Sequence, residues 1–289
     1  MTGNAHRPIG LAQLSLLNTA PPELVGVAAR AGFDFVGVRV RPVTPSERRY
    51  ELQPGSPMLR ETLARIQDTG VGVRDIEFLL LDGSDQRDAW LRMMEAGQAL
   101  GASSLTVAGG DPDSTRLTDT LARMTEDGRS FGITPTLEAI SYQPVASIAH
   151  AAGIARQAGC GIVVDTLHFN RCSGPGAAAQ WKELRANADL VPLLQLCDGP
   201  AARPVSREAL VVESRSERGI PGEGGFGLAE AVAAVPPGLP VSAEVPSDRR
   251  VAEFGELGWA RRLKAGVDTV LAQAGSRQPN SSVRAVAAT

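Results

Sequence analysis

The chain has 289 residues, 43% hydrophobic and 21% charged, an ordinary globular composition that argues against wholesale disorder. With 29 basic against 32 acidic groups the net charge is −3, which removes any general electrostatic reason to bind nucleic acid. The lead Met1–Pro8 lacks the apolar stretch of a secretory signal, and no run approaches the roughly 20 apolar residues that cross a bilayer.

Short β-rich apolar runs alternate with amphipathic segments of helical length. In chain order, Ile9–Leu16 reads as a strand and Pro22–Ala31 as a helix with proline at its start. Asp34–Val40 is a second strand; after it the polar stretch Arg41–Pro57 breaks the rhythm before the helix Pro57–Asp68. Strands Val73–Leu81 and Ser104–Ala108 then alternate with helices Arg87–Leu100 and Ser114–Asp127. Thr134–Ile140 and Gly161–His168 follow as strands, with helices Val145–Ala158 and Ala177–Ala186. The last pair of strands is Val191–Cys197 and Pro240–Val245, with helices Leu228–Val235 and Val251–Ala274. Glycines after helix ends, at Gly32, Gly70, Gly101 and Gly159, punctuate the pattern.

Eight β/α units, with near-continuous apolar strands such as Ile162-Val163-Val164, point to an α/β protein: a single-domain (β/α)₈ TIM barrel over residues 1–274. A doubly wound open sheet is the competing arrangement, but no GxGxxG follows the first strand and no GxxxxGK[ST] occurs. Gly199–Gly227, ending in Gly219-Ile220-Pro221-Gly222-Glu223-Gly224-Gly225, is long enough to be a lid or a substrate wall. The segment 275–289 reads as a disordered tail.

Barrel chemistry sits at the carboxyl ends of strands. Four polar side chains interrupt apolar runs there: Glu138, Asp165, Gln195 and Glu244. Each alone has an ordinary explanation, a helix N-cap or a partner for a neighbouring Arg. Together they place three carboxylates at one mouth, a conflict that a divalent cation resolves. An all-oxygen set suits Mn²⁺ best, with Mg²⁺ and Co²⁺ as alternatives, whereas Zn²⁺ favours nitrogen and sulfur.

Asp165-Thr166-Leu167-His168-Phe169-Asn170 resembles the Asp-Thr-x-His segment of the xylose isomerase-like sugar isomerase/epimerase superfamily. Its members include ketose 3-epimerases, inosose dehydratases and 3-dehydroshikimate dehydratases. The resemblance implies that Glu138, Asp165, Gln195 and Glu244 are metal ligands, with His168 and Arg218 near the substrate. Gln195 departs from the epimerase pattern, where His is usual. Gln195-Leu196-Cys197-Asp198-Gly199-Pro200 is more similar to dehydratase-like members.

Such a site suits removal of a proton from carbon beside a carbonyl, giving an enediolate. With Glu138 and Glu244 as base and acid, the outcome is isomerisation or epimerisation of a sugar or polyhydroxy ketone. With His168 protonating a departing hydroxyl, it is dehydration of a cyclic keto-polyol. A barrel that binds a metabolite without turnover, or serves as a subunit, is the reading from another class.

Arg218 is a substrate clamp or a solvated loop residue. Glu77 and Arg39 are substrate-facing or form salt bridges between strands, and Arg41 shares that ambiguity. His6 and His150 are incidental; Cys160, Cys172, Cys197, Trp90, Trp181 and Trp259 are packing residues. Cysteines this few, with no CxxC, fit a reducing cytoplasm. The expected partner is a small polyhydroxy carbonyl compound, with neither nucleic acid nor membrane; a homo-oligomer is left open.

Overall fold

A computed structural model describes residues 7–172 and 177–277. Eight strands close into a barrel in sequence order, every neighbouring pair parallel and the last strand pairing with the first. They are β1 (Ile9–Ala12), β2 (Phe35–Arg39), β3 (Gly72–Leu81), β4 (Ser104–Gly109), β5 (Thr134–Glu138), β6 (Gly161–Asp165), β7 (Leu193–Leu196) and β8 (Val241–Ala243). The helices are α1 (Pro21–Ala31), α2 (Pro57–Thr69), α3 (Arg87–Leu100), α4 (Ser114–Arg129), α5 (Ile148–Ala158), α6 (Thr166–Arg171), α7 (Ala177–Ala186), α8 (Arg207–Ser216), α9 (Leu228–Ala234) and α10 (Asp248–Arg277). The open-sheet alternative is therefore excluded.

The main apolar core lies between barrel and helices, where Leu11, Val36, Ile76, Leu105, Leu137, Leu194 and Val241 are fully covered. A smaller apolar layer of Phe35, Val163 and Leu193 plugs the barrel interior. Gly10 leaves room for it: a Cβ there would lie 2.1 Å from the Phe35 ring. Trp90 and Trp259 are buried and Trp181 packs on Phe169 at 4.0 Å, as packing residues do. Cys160 and Cys197 are buried, and burial pushes the Cys160 thiol up to about 12. His150 sits on α5 beside Ser114 at 3.4 Å, and His6 lies outside the described residues.

Sequence and structure differ most at strand ends. The run Ile9–Leu16 leaves the sheet after Ala12, and Gln13–Leu16 forms a 3₁₀ turn. The run Gly161–His168 stops at Asp165, because its carboxylate accepts the Leu167 N–H at 2.8 Å and starts α6. His168 is thus helical, not the end of a strand. The helix expected from Val145 begins at Ile148, where Ser147 caps it through the His150 N–H.

Within Gly199–Gly227 stands a helix, α8, capped by Ser206. At the far end α10 continues to Arg277, past the expected tail boundary at Gly275; residues 278–289 of that tail lie outside the described residues. A break at Gly255, with φ 69° and ψ 161°, divides α10. No helix among the described residues is long and apolar enough to cross a membrane.

Candidate active site

A cavity of about 270 Å³ opens at the carboxyl end of the barrel, lined among others by Arg39, Glu77, Glu138, His168, Arg218 and Glu244. Asp165 and Gln195 stand directly behind it, in register on β6 and β7. All eight residues singled out from the sequence therefore meet at one mouth. Arg41 does not: it is exposed and lines a separate cavity with Arg49 and Arg92.

The backbone explains why they converge. Glu138 and Asp165 are the last residues of β5 and β6. Glu244 follows β8, held by its N–H to the Leu196 carbonyl at 3.0 Å, while the Val245 N–H reaches Ser15 Oγ at 2.8 Å. Arg218 is carried in from beyond α8 by an antiparallel bridge between Asp198 and Gly219, whose N–H groups and carbonyls exchange bonds of 2.9 and 2.7 Å. The Asp198 carboxylate gathers the glycine-rich loop by accepting the Gly199, Gly222 and Phe226 N–H groups.

Arg218 is the hub. Its Nη1 lies 2.8 Å from both Asp165 Oδ2 and Glu244 Oε2, and Nε donates to the Ser214 carbonyl at 2.8 Å. Asp165 thus fills both ordinary roles of a strand-end acid at once, helix cap and arginine partner. Burial works to raise its carboxyl, but the Arg218 charge holds it below the usual carboxylate range. Burial raises Glu244 well above that range against the pull of Arg218. Burial first, then the Asp165 charge, pushes Glu138 up to about 8.

Gln195 donates Nε2 to Glu244 Oε1 at 2.9 Å, and its Oε1 is buried without a partner among the described residues. Glu138, Asp165 and His168 bring one ligand atom each within 4.8 Å of one another, close enough to hold a divalent metal. His168, however, is buried and neutral, its imidazole pushed down to about 4 by burial. The Ser141 N–H points at Nδ1, 3.4 Å away, which assigns the ring proton to Nε2. That proton faces Glu138 Oε1 at 3.8 Å and Asp165 Oδ2 at 3.9 Å, so the imidazole in this tautomer presents a donor rather than a lone pair.

On the β2–β3 side, Arg39 Nη2 lies 3.4 Å from Glu77 and Nη1 3.5 Å from Glu47. The interstrand salt bridge foreseen for Arg39 and Glu77 is therefore present, within the cavity wall.

Several site residues were missed from the sequence. Glu47 lies in the Arg41–Pro57 stretch. Ser141 bonds His168 Nδ1, and Tyr142 sets its ring edge-on to His168 at 5.4 Å and donates to Ser214 Oγ at 3.1 Å. Glu213 forms a buried bidentate pair with Arg171, 2.7 Å at each bond, that ties α8 to α6.

The model of the xylose isomerase-like TIM barrel family matches residues 25–270. No curated protein matches the chain. Among solved structures, a xylose isomerase-like TIM barrel/4-hydroxyphenylpyruvate dioxygenase fusion protein superposes with a TM-score of 0.77 at 21% identity, over 94% of this chain and 44% of that one. The chain thus spans under half the length of that relative. An IolI protein with a bound zinc atom gives 0.72 at 14% identity, over 92% of this chain and 98% of that one. D-allulose 3-epimerase from Methylomonas sp., in complex with D-allulose, gives 0.67 at 14% identity, over 92% and 97%. At these identities the likeness shows the fold, and the family model gives the membership: the chain belongs to the xylose isomerase-like TIM barrel family.

Proposed function

We propose that the protein is a divalent-metal-dependent isomerase or epimerase of a sugar or polyhydroxy ketone, working by proton abstraction beside a carbonyl. The observation that carries this reading is Gln195. Its amide nitrogen is spent on Glu244, leaving a buried, unpartnered oxygen beside Asp165 among carboxylates that burial and mutual repulsion leave short of positive charge. An orphaned buried oxygen in such a place fits a cation.

The ion would be held by Glu138, Asp165, Gln195 Oε1 and Glu244. Their all-oxygen chemistry favours Mn²⁺, with Mg²⁺ and Co²⁺ as alternatives. Arg218 competes for one oxygen of Asp165 and one of Glu244, so it tempers the site's affinity. When bound, the metal supplies Lewis-acid polarisation of a carbonyl.

The chain's own residues do the rest. Glu138 and Glu244 reach the cavity from β5 and from the end of β8, one to take the proton and the other to return it. Arg39, Glu77 and the Nη2 edge of Arg218, which makes only a 3.5 Å contact to Ser214 Oγ, bind substrate hydroxyls.

A second reading has its own support. His168, neutral and with its Nε2–H toward Glu138, is a hydrogen-bond donor to a departing hydroxyl, and the Glu138 carboxyl beside it, pushed up to about 8, carries the proton that hydroxyl would take, which suits dehydration of a cyclic keto-polyol.

Metal analysis of the purified protein, beside a Glu138→Gln/Asp165→Asn variant, tests the site: wild type is expected to retain metal and the variant to lose it. Ketoses and cyclic keto-polyols incubated in D₂O then separate the chemistries. Deuterium incorporation without loss of water marks isomerisation, and loss of water marks dehydration. Equal metal in both proteins, with no exchange and no dehydration, would sink both readings in favour of a barrel that binds without turnover.

A further inference from the structure

Beneath the cavity lies a pair of acids that the proposed chemistry leaves unused as a pair. Asp75 and Glu77 are two residues apart on β3, both almost wholly buried, in register with Gly37 and Arg39 of β2. Neither Asp75 oxygen has a hydrogen-bond partner among the described residues, nor has Glu77 Oε1. Two residues apart on one strand, their side chains stand on the same face as neighbours. Gly37 makes the space, since a Cβ there would come within 2.7 Å of Asp75 Oδ2. Two neighbouring buried carboxylates, with Arg39 on Glu77 Oε2 and no donor among the described residues on the other three oxygens, repel; one proton between them turns repulsion into a charge-assisted hydrogen bond.

We propose that Asp75 and Glu77 hold one proton between them, carried on Asp75 and donated in a hydrogen bond to Glu77 Oε1, so that Glu77 meets the cavity as a single anion fixed by Arg39. Asp75 is then a positioning residue that acts through Glu77. Its bearing on a substrate hydroxyl rests on the function proposed above; the shared proton does not.

The surroundings agree. Burial first, then the Glu77 charge, lifts Asp75 well above the usual carboxylate range, against Arg74 on the same strand. Glu77 is also raised, by burial, but Arg39 and Arg218 pull it back and favour its charged form. From β4, Ser104 and Thr106 stand in register and bring no charge. The charges of Glu138 and Glu244 reach Glu77 from across the cavity.

The test is made on the full-length protein as purified, grown with carboxyl-¹³C aspartate, by NMR or infrared titration. One aspartate is expected to remain in the acid form at neutral pH, its signal absent from Asp75→Asn. In Glu77→Gln the same signal titrates at lower pH, because the repelling charge is gone. Linkage gives an independent readout. A carboxyl raised in the folded state gives its full stability below the unfolded value and loses it as pH rises toward the folded one. Relative to Asp75→Asn, the wild-type unfolding constant therefore grows about tenfold per pH unit from the ordinary carboxylate range upward.

Aspartates all ionised at neutral pH would overturn the proposal, and so would an acid signal that survives in Asp75→Asn or ignores Glu77→Gln. Should Asp75→Asn fail to fold, the labelled wild type and Glu77→Gln still decide. None of these readouts depends on turnover, so a failed metal or exchange test leaves them standing.

Discussion

The two walls of the cavity solve the same problem in different ways. On the β5–β8 side, buried acids are tied together from outside the sheet: Arg218, delivered by a loop bridge, joins Asp165 to Glu244, and the His168 ring sets a proton toward Glu138. On the β2–β3 side, the acids lie within one strand, and three of the four Asp75 and Glu77 oxygens have no hydrogen-bond partner among the described residues. The first wall is held by charges that reach in from the Gly199–Gly227 segment and from α6. The second is built into the barrel and is as rigid as the strands.

The difference can be broken from the Arg218 side first. Arg218→Ala removes the hub and leaves Asp165 and Glu244 as uncompensated buried acids, at a cost of about 3–5 kcal/mol. Urea denaturation in the absence of divalent metal should show the full loss. Added Mn²⁺ should recover part of it, since the guanidinium no longer competes for the two carboxylates. A loss below about 1 kcal/mol would mean that water, not Arg218, neutralises that wall.

On the other side, Gly37→Ala drives a methyl against the buried Asp75 carboxyl at 2.7 Å, just past the point where the β2–β3 register shifts. Overpacking of this kind costs about 1–3 kcal/mol. The same substitution on a background of Asp75→Ala should be nearly neutral, because the obstructing carboxyl is gone; additive losses would show that the clash lies elsewhere. The signature of the built-in wall is this coupling between adjacent strands.

Legibility in the sequence follows the same division. Glu138, Asp165 and Gln195 were readable because each interrupts an apolar run at or near a strand's carboxyl end. Asp75 was readable in principle: on a strand, positions 75 and 77 share a face, so an acid at one marks the other. What the sequence could not tell was that no donor among the described residues would reach either Asp75 oxygen, since that depends on neighbours in three dimensions.

The Gly199–Gly227 segment was harder. Helix α8 escaped notice because two of the residues it buries, Glu213 and Ser214, are polar and blur the amphipathic stripe. The reason for their burial, Arg171 and Tyr142, is remote in sequence. The strand overruns at Ile9–Leu16 and Gly161–His168 share a cause: apolar composition continues past the sheet, while a turn or a capping carboxylate ends it.

The smallest effect belongs to the outer end of the β2–β3 wall. Glu47 pairs with Arg39 at 3.5 Å, and the same Oε2 accepts the Val43 N–H at 2.8 Å. Glu47→Gln removes the charge but keeps a carbonyl oxygen for Val43, so the loop retains its local turn and loses only the ion pair. That pair is largely shielded from solvent, but Glu77 still holds Arg39 from the other side, so the guanidinium is not left unpaired when the Glu47 charge goes. The expected cost is therefore at most about 1 kcal/mol in global unfolding. If the charge on Glu47 holds the stretch against the barrel, its loss should appear as faster limited proteolysis between Arg41 and Ser56 with the unfolding midpoint almost unchanged. A large drop in midpoint would move Glu47 from the rim of the cavity into its structural core, and the β2–β3 wall would no longer be self-sufficient.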